Sequence, residues 1–287
     1  MRLCRFNEQR IGIVRGHEIR DVTSVLEALP AHRYPFPAGD ALIAALPQLA
    51  PRLIAASESA PALSLEHARL LAPLANPGKI IGAPVNYRRH LEEVRADPGL
   101  HHQSQINEIH RAGLFLKATS SLIGASQPIC IRHPERRTDH EVELAAVIGS
   151  PCDRISRDVA LQHVAGYCIG LDITVRGPEE RSLRKSIDSY TVLGPWLVTA
   201  DELADAGDLA LSIAVNGVAR QSARTSEMIL GVPELIELAS SFYTLYPGDV
   251  LLTGTPAGVG PIEPGDVLQA RIEAIGEMSV GVITSRA

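Results

Sequence analysis

The first regular pattern along the chain is a hairpin. Arg10–Arg15 reads as a strand, Gly16-His17 as a turn and Glu18–Val22 as the returning strand; Val22, Val25, Leu26 and Leu29 then follow helical i, i+3, i+4, i+7 spacing. From Ala31 to Gly78 the chain is rich in Ala and Pro, broken most clearly at Pro35-Phe36-Pro37 and Asn76-Pro77-Gly78. These patterns predict a small N-terminal α/β domain over residues 1–78 and a larger domain over 79–287. Beyond Gly78 the apolar runs become short and strand-like: Lys79–Gly82, Leu114–Lys117, Glu141–Gly149, Val164–Val175, Trp196–Thr199, Leu209–Val215 and Val250–Thr253. Helices are predicted just after Asn86, over Asp158–His163 and over Pro233–Ser241, the last with proline at its start. The class is therefore α+β and β-rich. Two Pro-Gly-Asp-Val turns, at Pro247 and Pro264, are expected to end neighbouring strands of one sheet.

Composition narrows the function classes. Hydrophobic residues make up 45% of the 287 and charged residues 21%, which suits a sizeable buried core. With 27 basic against 33 acidic residues and only 4% aromatics, the chain lacks both a phosphate-neutralising surface and a row of stacking rings, so nucleic acid is excluded as a partner. No apolar run reaches the ~20 residues a membrane span needs, and Ala41–Ala50 is already interrupted by Pro47. A charged N-terminus and four widely spaced cysteines point to a cytoplasmic protein with reduced thiols. Only Lys79, Lys117 and Lys185 are lysines, so each stands either by chance or where a compact ammonium is required.

The candidate chemistry centres on acids. In Glu141-Val142-Glu143-Leu144-Ala145-Ala146-Val147-Ile148, strand alternation puts Glu141 and Glu143 on one face with Ala145 and Val147. A strand apolar on both faces is normally buried, and adjacent carboxylates there need a cation. Asp172 lies in a second apolar run, Tyr167–Val175. Three carboxylates without a cysteine or histidine cluster favour Mg²⁺ or Mn²⁺ over zinc; a solvated strand end or pairing with arginines are the alternatives. In Asn86–Glu93, His90 and Glu93 stand three apart on one helix face, which suits either a carboxylate-oriented general base or an ordinary exposed pair. Thr253–Gly260 follows a strand but lacks the ending of a nucleotide-binding P-loop. Its amides and threonine hydroxyls either approach an anionic substrate or form a plain tight turn.

Taken in order, several segments resemble the fumarylacetoacetate hydrolase family from about Lys79 to Ile283: Asn86-Tyr87-x-x-His90-x-x-Glu93, Phe115-Leu116-Lys117, Asp139-x-Glu141-x-Glu143, Val164–Tyr167 with Asp172, Lys185-Ser186-x-Asp188, Leu193–Trp196, Asn216-Gly217 with Gln221, and Thr253–Pro256. The resemblance implies a mixed β-sandwich roll, a homodimer, and a Mg²⁺ or Mn²⁺ ion held by Glu141, Glu143 and Asp172. It also implies a small oxo-acid substrate, water activation by His90 with Glu93, an active-site role for Lys185, and substrate contacts from Lys117, Arg176, Gln221 and Thr255. His140 and Gly177 depart from the family pattern, and the segment Arg95–Arg111, which matches the substrate-closing lid, is longer than in compact members.

The expected activity is metal-dependent hydrolysis of a carbon–carbon bond in a β-diketo acid, an acylpyruvate or fumarylacetoacetate-like compound. The nearest rival is decarboxylation or isomerisation of a 2-oxo diacid, and a non-catalytic metabolite-binding protein is the rival of another class.

Overall fold

The computed structural model describes residues 1–97, 99–100 and 108–284. Its main element is a mixed sheet of twelve strands, which runs from its centre to one edge in the spatial order Thr191–Thr199, Val164–Asp172, Val142–Ile148, Val250–Leu252, Ile80–Gly82 and Phe115–Lys117. A five-stranded sheet (Val218–Arg224, Ala210–Val215, Val267–Ile272, Gly276–Thr284, Ile129–Ile131) and a three-stranded one (Thr174–Val175, Thr138–His140, Gly260–Pro261) complete the β structure.

All seven strands expected beyond Gly78 are present, the run Val164–Val175 being divided at Ile173. Helices form at Arg88–Ala96, Arg157–Ala160 and Val232–Phe242, while the Val22–Leu29 pattern is realised as a 3₁₀ helix over Thr23–Ala28.

Val142–Ile148 is buried along its whole length because it lies between two hydrophobic cores. Val142, Leu144, Ala146 and Ile148 enter one; Ala145 and Val147 enter the other. Part of that second core comes from the N-terminal segment. Its helix Ala41–Ser59 contributes Leu42, Ile43, Leu46, Leu49 and Leu53, a stripe at helical spacing. The strand Arg2–Phe6 pairs with Thr191–Thr199, Leu3 opposite Leu197, so the N-terminal hairpin extends the same sheet.

Two expectations require correction. The helix Ala41–Ser59 crosses a stretch read as broken, with Pro47 and Pro51 inside it. Helix-interior proline is costly, and here apolar packing on one face and a strong N-cap compensate. Asp40 accepts from Leu42 N (3.0 Å) and Ile43 N (3.2 Å), and its other oxygen accepts from Ala75 N (3.2 Å) and Asn76 N (3.1 Å).

The two Pro-Gly-Asp-Val turns start strands of different sheets, Val250 in the large one and Val267 in the five-stranded one. In each, the aspartate accepts from the amide three residues back, Tyr246 N or Glu263 N. The motif fixes only this local turn; the sheet partner comes from distant residues.

Asp40→Ala is expected to lower stability by about 2–4 kcal/mol, from one lost cap and two orphaned amides, read as a fall of roughly 5–10 °C in Tm. Asp40→Asn keeps the cap but presents an amide group to Ala75 and Asn76. An intermediate Tm checks that division.

Candidate active site

Antiparallel pairing assembles the acids. Val142 lies opposite Leu171 and Glu143 opposite Gly170, and Asp172 N donates to Glu141 O (2.9 Å), so Glu141, Glu143 and Asp172 meet at one end of two central strands. All three are buried, and one ligating oxygen from each lies within 4.8 Å of the others. Asp172 bonds Lys117 through Oδ1 and Lys185 through Oδ2 (2.6 Å). Glu141 receives Lys185 (2.8 Å) and Arg176 (3.0 Å).

Charge is divided unequally among them. Burial pushes Glu141 upward, but Lys185 and Arg176 outweigh it and hold the carboxyl down at about 2. Glu143 is driven well above its ordinary 4.5, by burial first and then by Asp172 and Glu141. The amide of Gly254 donates to it at 2.6 Å, which is not enough to reverse the shift. The cluster therefore lacks positive charge at Glu143. Hard oxygen donors converging on one point, with one of them uncompensated, fit a divalent Mg²⁺ or Mn²⁺ ion.

Above the acids, the helix Arg88–Ala96 carries His90 and Glu93. His90 Nδ1 and Glu93 Oε2 are 2.8 Å apart, and Glu93 Oε1 accepts from Gly258 N at 2.8 Å. The remaining ring nitrogen, Nε2, is left for the cavity that His90 lines together with the three acids. Val85, Val94, Leu100 and Phe115 form its apolar wall.

The loop Thr253–Gly260 is tied to the acids of the site. Its amides at Gly254 and Gly258 go to the protein's own carboxylates, Glu143 and Glu93. Both glycines have positive φ, +93° and +98°. A Cβ on Gly258 would lie 2.0 Å from Arg220 O, so glycine is required there.

Of the substrate contacts expected from sequence, Arg176 and Thr255 line the cavity, but both are engaged. Arg176 bonds Asp139, Glu141 and Leu100 O; the Thr255 hydroxyl accepts from Gln221 Nε2 and donates to Val142 O. Gln221 and Lys117 do not line the cavity. Gln221 is buried behind the loop, bonded to His140, Val142 N, Thr255 and Pro256 O. Lys117 sits behind Asp172, donating to it and to Tyr190 O.

His140 is buried beside Gln221, away from the cavity, and burial lowers its pKa. Of the long segment Arg95–Arg111, Leu100 reaches the cavity; residues 98 and 101–107, with His101 and His102, lie outside the described residues.

The family model for the fumarylacetoacetate (FAA) hydrolase C-terminal domain matches residues 79–283. The chain belongs to the fumarylacetoacetate hydrolase family. It is similar to the maleylpyruvate hydrolase of Aquipseudomonas alcaligenes, 55% identical over 284 residues that span 98% of this chain and 99% of that one. Among solved structures it resembles the maleylpyruvate hydrolase of Sphingobium sp. SYK-6 in complex with manganese(II) ion and pyruvate, with TM-score 0.86, 37% identity and full coverage of both chains. A 2-hydroxyhepta-2,4-diene-1,7-dioate isomerase from Mycobacterium marinum matches at TM-score 0.73 and 30% identity, again over both whole chains. With a buried acidic triad and an oriented base, this family member is a metal-dependent hydrolase.

Sequence reasoning missed Arg181 and Arg184, which also line the cavity. The available signal was the spacing Arg181-x-x-x-Lys185, which puts Arg181 on the same helix face as the tracked lysine.

The raised Glu143 sets a pH dependence. Its folded pKa exceeds the unfolded value, so its contribution to stability without metal is present below 4.5 and is lost as pH rises through the folded pKa. A bound dication removes that penalty. The gain in Tm from saturating Mn²⁺ should therefore grow as pH rises from the ordinary 4.5 toward the raised folded value. Glu143→Gln should lose both metal affinity and this pH dependence; a gain that is flat in pH for the unsubstituted protein would show Glu143 already ionised.

Proposed function

We propose that the protein hydrolyses an acylpyruvate of the maleylpyruvate type, cleaving the carbon–carbon bond between the acyl carbonyl and the pyruvyl methylene. The carrying observation is the His90–Glu93 pair opening onto a cavity that contains the acidic triad. The likeness to two maleylpyruvate hydrolases supports the substrate class.

Glu141, Glu143 and Asp172 would hold Mg²⁺ or Mn²⁺. When bound, such an ion supplies Lewis-acid polarisation of the substrate's oxo and enolate oxygens. The protein's own groups do the proton work. Glu93, fixed by Gly258 N and the helix, accepts the Nδ1–H of His90 and leaves Nε2 as the base. His90 Nε2 takes a proton from water, whose oxygen attacks the distal carbonyl carbon. The carbon–carbon bond breaks with its electron pair leaving on the pyruvyl fragment as an enolate, and the imidazolium returns the proton to it.

Lys185 has a narrower part than expected. An ammonium has three donors, and Lys185 directs all three to Glu141, Asp172 and Thr174. It fixes and neutralises the cluster, and any contact with a reacting oxygen requires one of these bonds to be given up.

His90→Ala should keep Mn²⁺ binding yet lose maleylpyruvate cleavage by roughly 10²–10⁴-fold, as removal of a general base does. Glu93→Gln should lose less, because it disturbs only the orientation and basicity of the ring. Product analysis on maleylpyruvate and oxaloacetate checks the assignment: full cleavage by His90→Ala removes the water-activation role, and action on oxaloacetate alone transfers the reading to decarboxylation or tautomerisation. The homodimer implied by the resemblance is part of this proposal. Light scattering at micromolar concentration should give twice the 30.8 kDa chain mass.

A further inference from the structure

The cavity carries more positive charge than the acid cluster uses. Arg176, Arg181, Arg184 and Lys185 all line it. Lys185 and Arg176 are committed to the acids, and Arg184 donates to the carbonyls of Glu179 (2.9 Å) and Val175 (3.5 Å). Arg181 stands apart from them. Among the described residues it forms no hydrogen bond and no ion pair, and its guanidinium lies 5.7 Å from the centre of the Phe115 ring.

A guanidinium presents five N–H donors in a rigid fork shaped for a carboxylate. Arg181 is half-buried, and burial pulls its pKa below the ordinary value against the opposing pull of Glu141, Glu180 and Asp172. Its position is informative as well. Arg181 and Lys185 are the first and last residues of one short helix, on the same face, with Lys185 Nζ 5.3 Å from that same Phe115 ring. Lys185 marks the acid cluster. The four-residue separation sets the two backbone positions about 6 Å apart along the helix axis, so Arg181 and Lys185 bring separate cations to the one cavity. The side chains of Val85, Val94, Leu100 and Phe115 wall the same cavity and suit the carbon skeleton of a substrate.

We propose that Arg181 is a specificity-determining residue, which receives the second carboxylate of a dicarboxylic oxo acid. This rests on the acylpyruvate reading above and deepens it, since the maleyl half of maleylpyruvate ends in a carboxylate.

The test uses two probes of one chain length, 2-oxoheptanedioate and 2-oxoheptanoate, which differ only in the terminal carboxylate. Neither has the 4-oxo group that hydrolysis requires. Titrated calorimetrically into the Mn²⁺-loaded protein, the diacid should bind about 10–100-fold more tightly, the range of a charge-assisted hydrogen bond. Arg181→Ala should bind both probes with the monoacid's affinity, and Arg181→Lys should keep part of the preference. Unchanged monoacid binding by Arg181→Ala reports an intact fold and metal site. The proposal is overturned if the unsubstituted protein shows no preference, if Arg181→Ala retains it, or if Arg181→Ala weakens both probes equally while Arg181→Lys does not restore the difference. The two readings separate cleanly. An Arg181-dependent preference in a protein that does not cleave maleylpyruvate removes the hydrolase reading alone, whereas cleavage without the preference removes this proposal alone.

Discussion

Three carboxylates buried at one point are the constraint around which the rest of the structure is arranged. Isolated buried charges are too costly to persist, so each acid must find a cation, give up its ionisation or wait for a metal. The cluster uses all three answers. Two of the chain's three lysines converge on Asp172, and Arg176 joins Lys185 on Glu141. Among the described residues Glu143 has no such partner, and burial raises its pKa. In a chain that otherwise uses arginine, the choice of lysine at these two places has a steric reason. A compact ammonium can point its three donors at converging oxygens in a space that a planar guanidinium would not share.

The acid cluster also explains why distant segments must be held in register. The glycine-containing loop Thr253–Gly260 donates one amide to Glu143 and another to Glu93, coupling the metal-side acid to the carboxylate that orients His90. Asn86 secures the other side. It is fully buried, donates to Leu230 O and Thr253 O, and accepts from Leu230 N, which fixes the start of the His90 helix against the same loop. The base and the acids thus sit on separate elements but share a backbone anchor, and moving the loop would disturb both.

Much of this was legible from residues alone, and the reasons differ by feature. The acids were visible because burial on both faces of Val142–Ile148 makes any charge at its entrance conspicuous. The His90–Glu93 contact was visible because helical spacing dictates it. The positions of Lys117 and Gln221 were not legible, because a motif records that a side chain is needed near a site, not which side of the ligating residue it occupies. Lys117 stands behind Asp172, and Gln221 stands behind Thr255. The long helix through Pro47 and Pro51 was hidden because local propensity opposes it. Its stability comes from Asp40 and from contacts with strands far away in sequence.

The cavity's lining divides into groups already satisfied by the protein and groups left for a ligand. Arg176, Lys185 and Thr255 direct their polar atoms to other groups of the protein, so they hold the acids and the loop in place. The rest of the lining includes apolar side chains and Arg181, which among the described residues has no hydrogen-bond or ion-pair partner. The Lewis-acid polarisation that a bound dication would supply serves hydrolysis, isomerisation and tautomerisation alike, so the acid cluster alone does not select among them. The selection falls to the two features outside it. His90 with Glu93 adds a base for water, and the rest of the lining decides which oxo acid lies with its carbonyl beside that base.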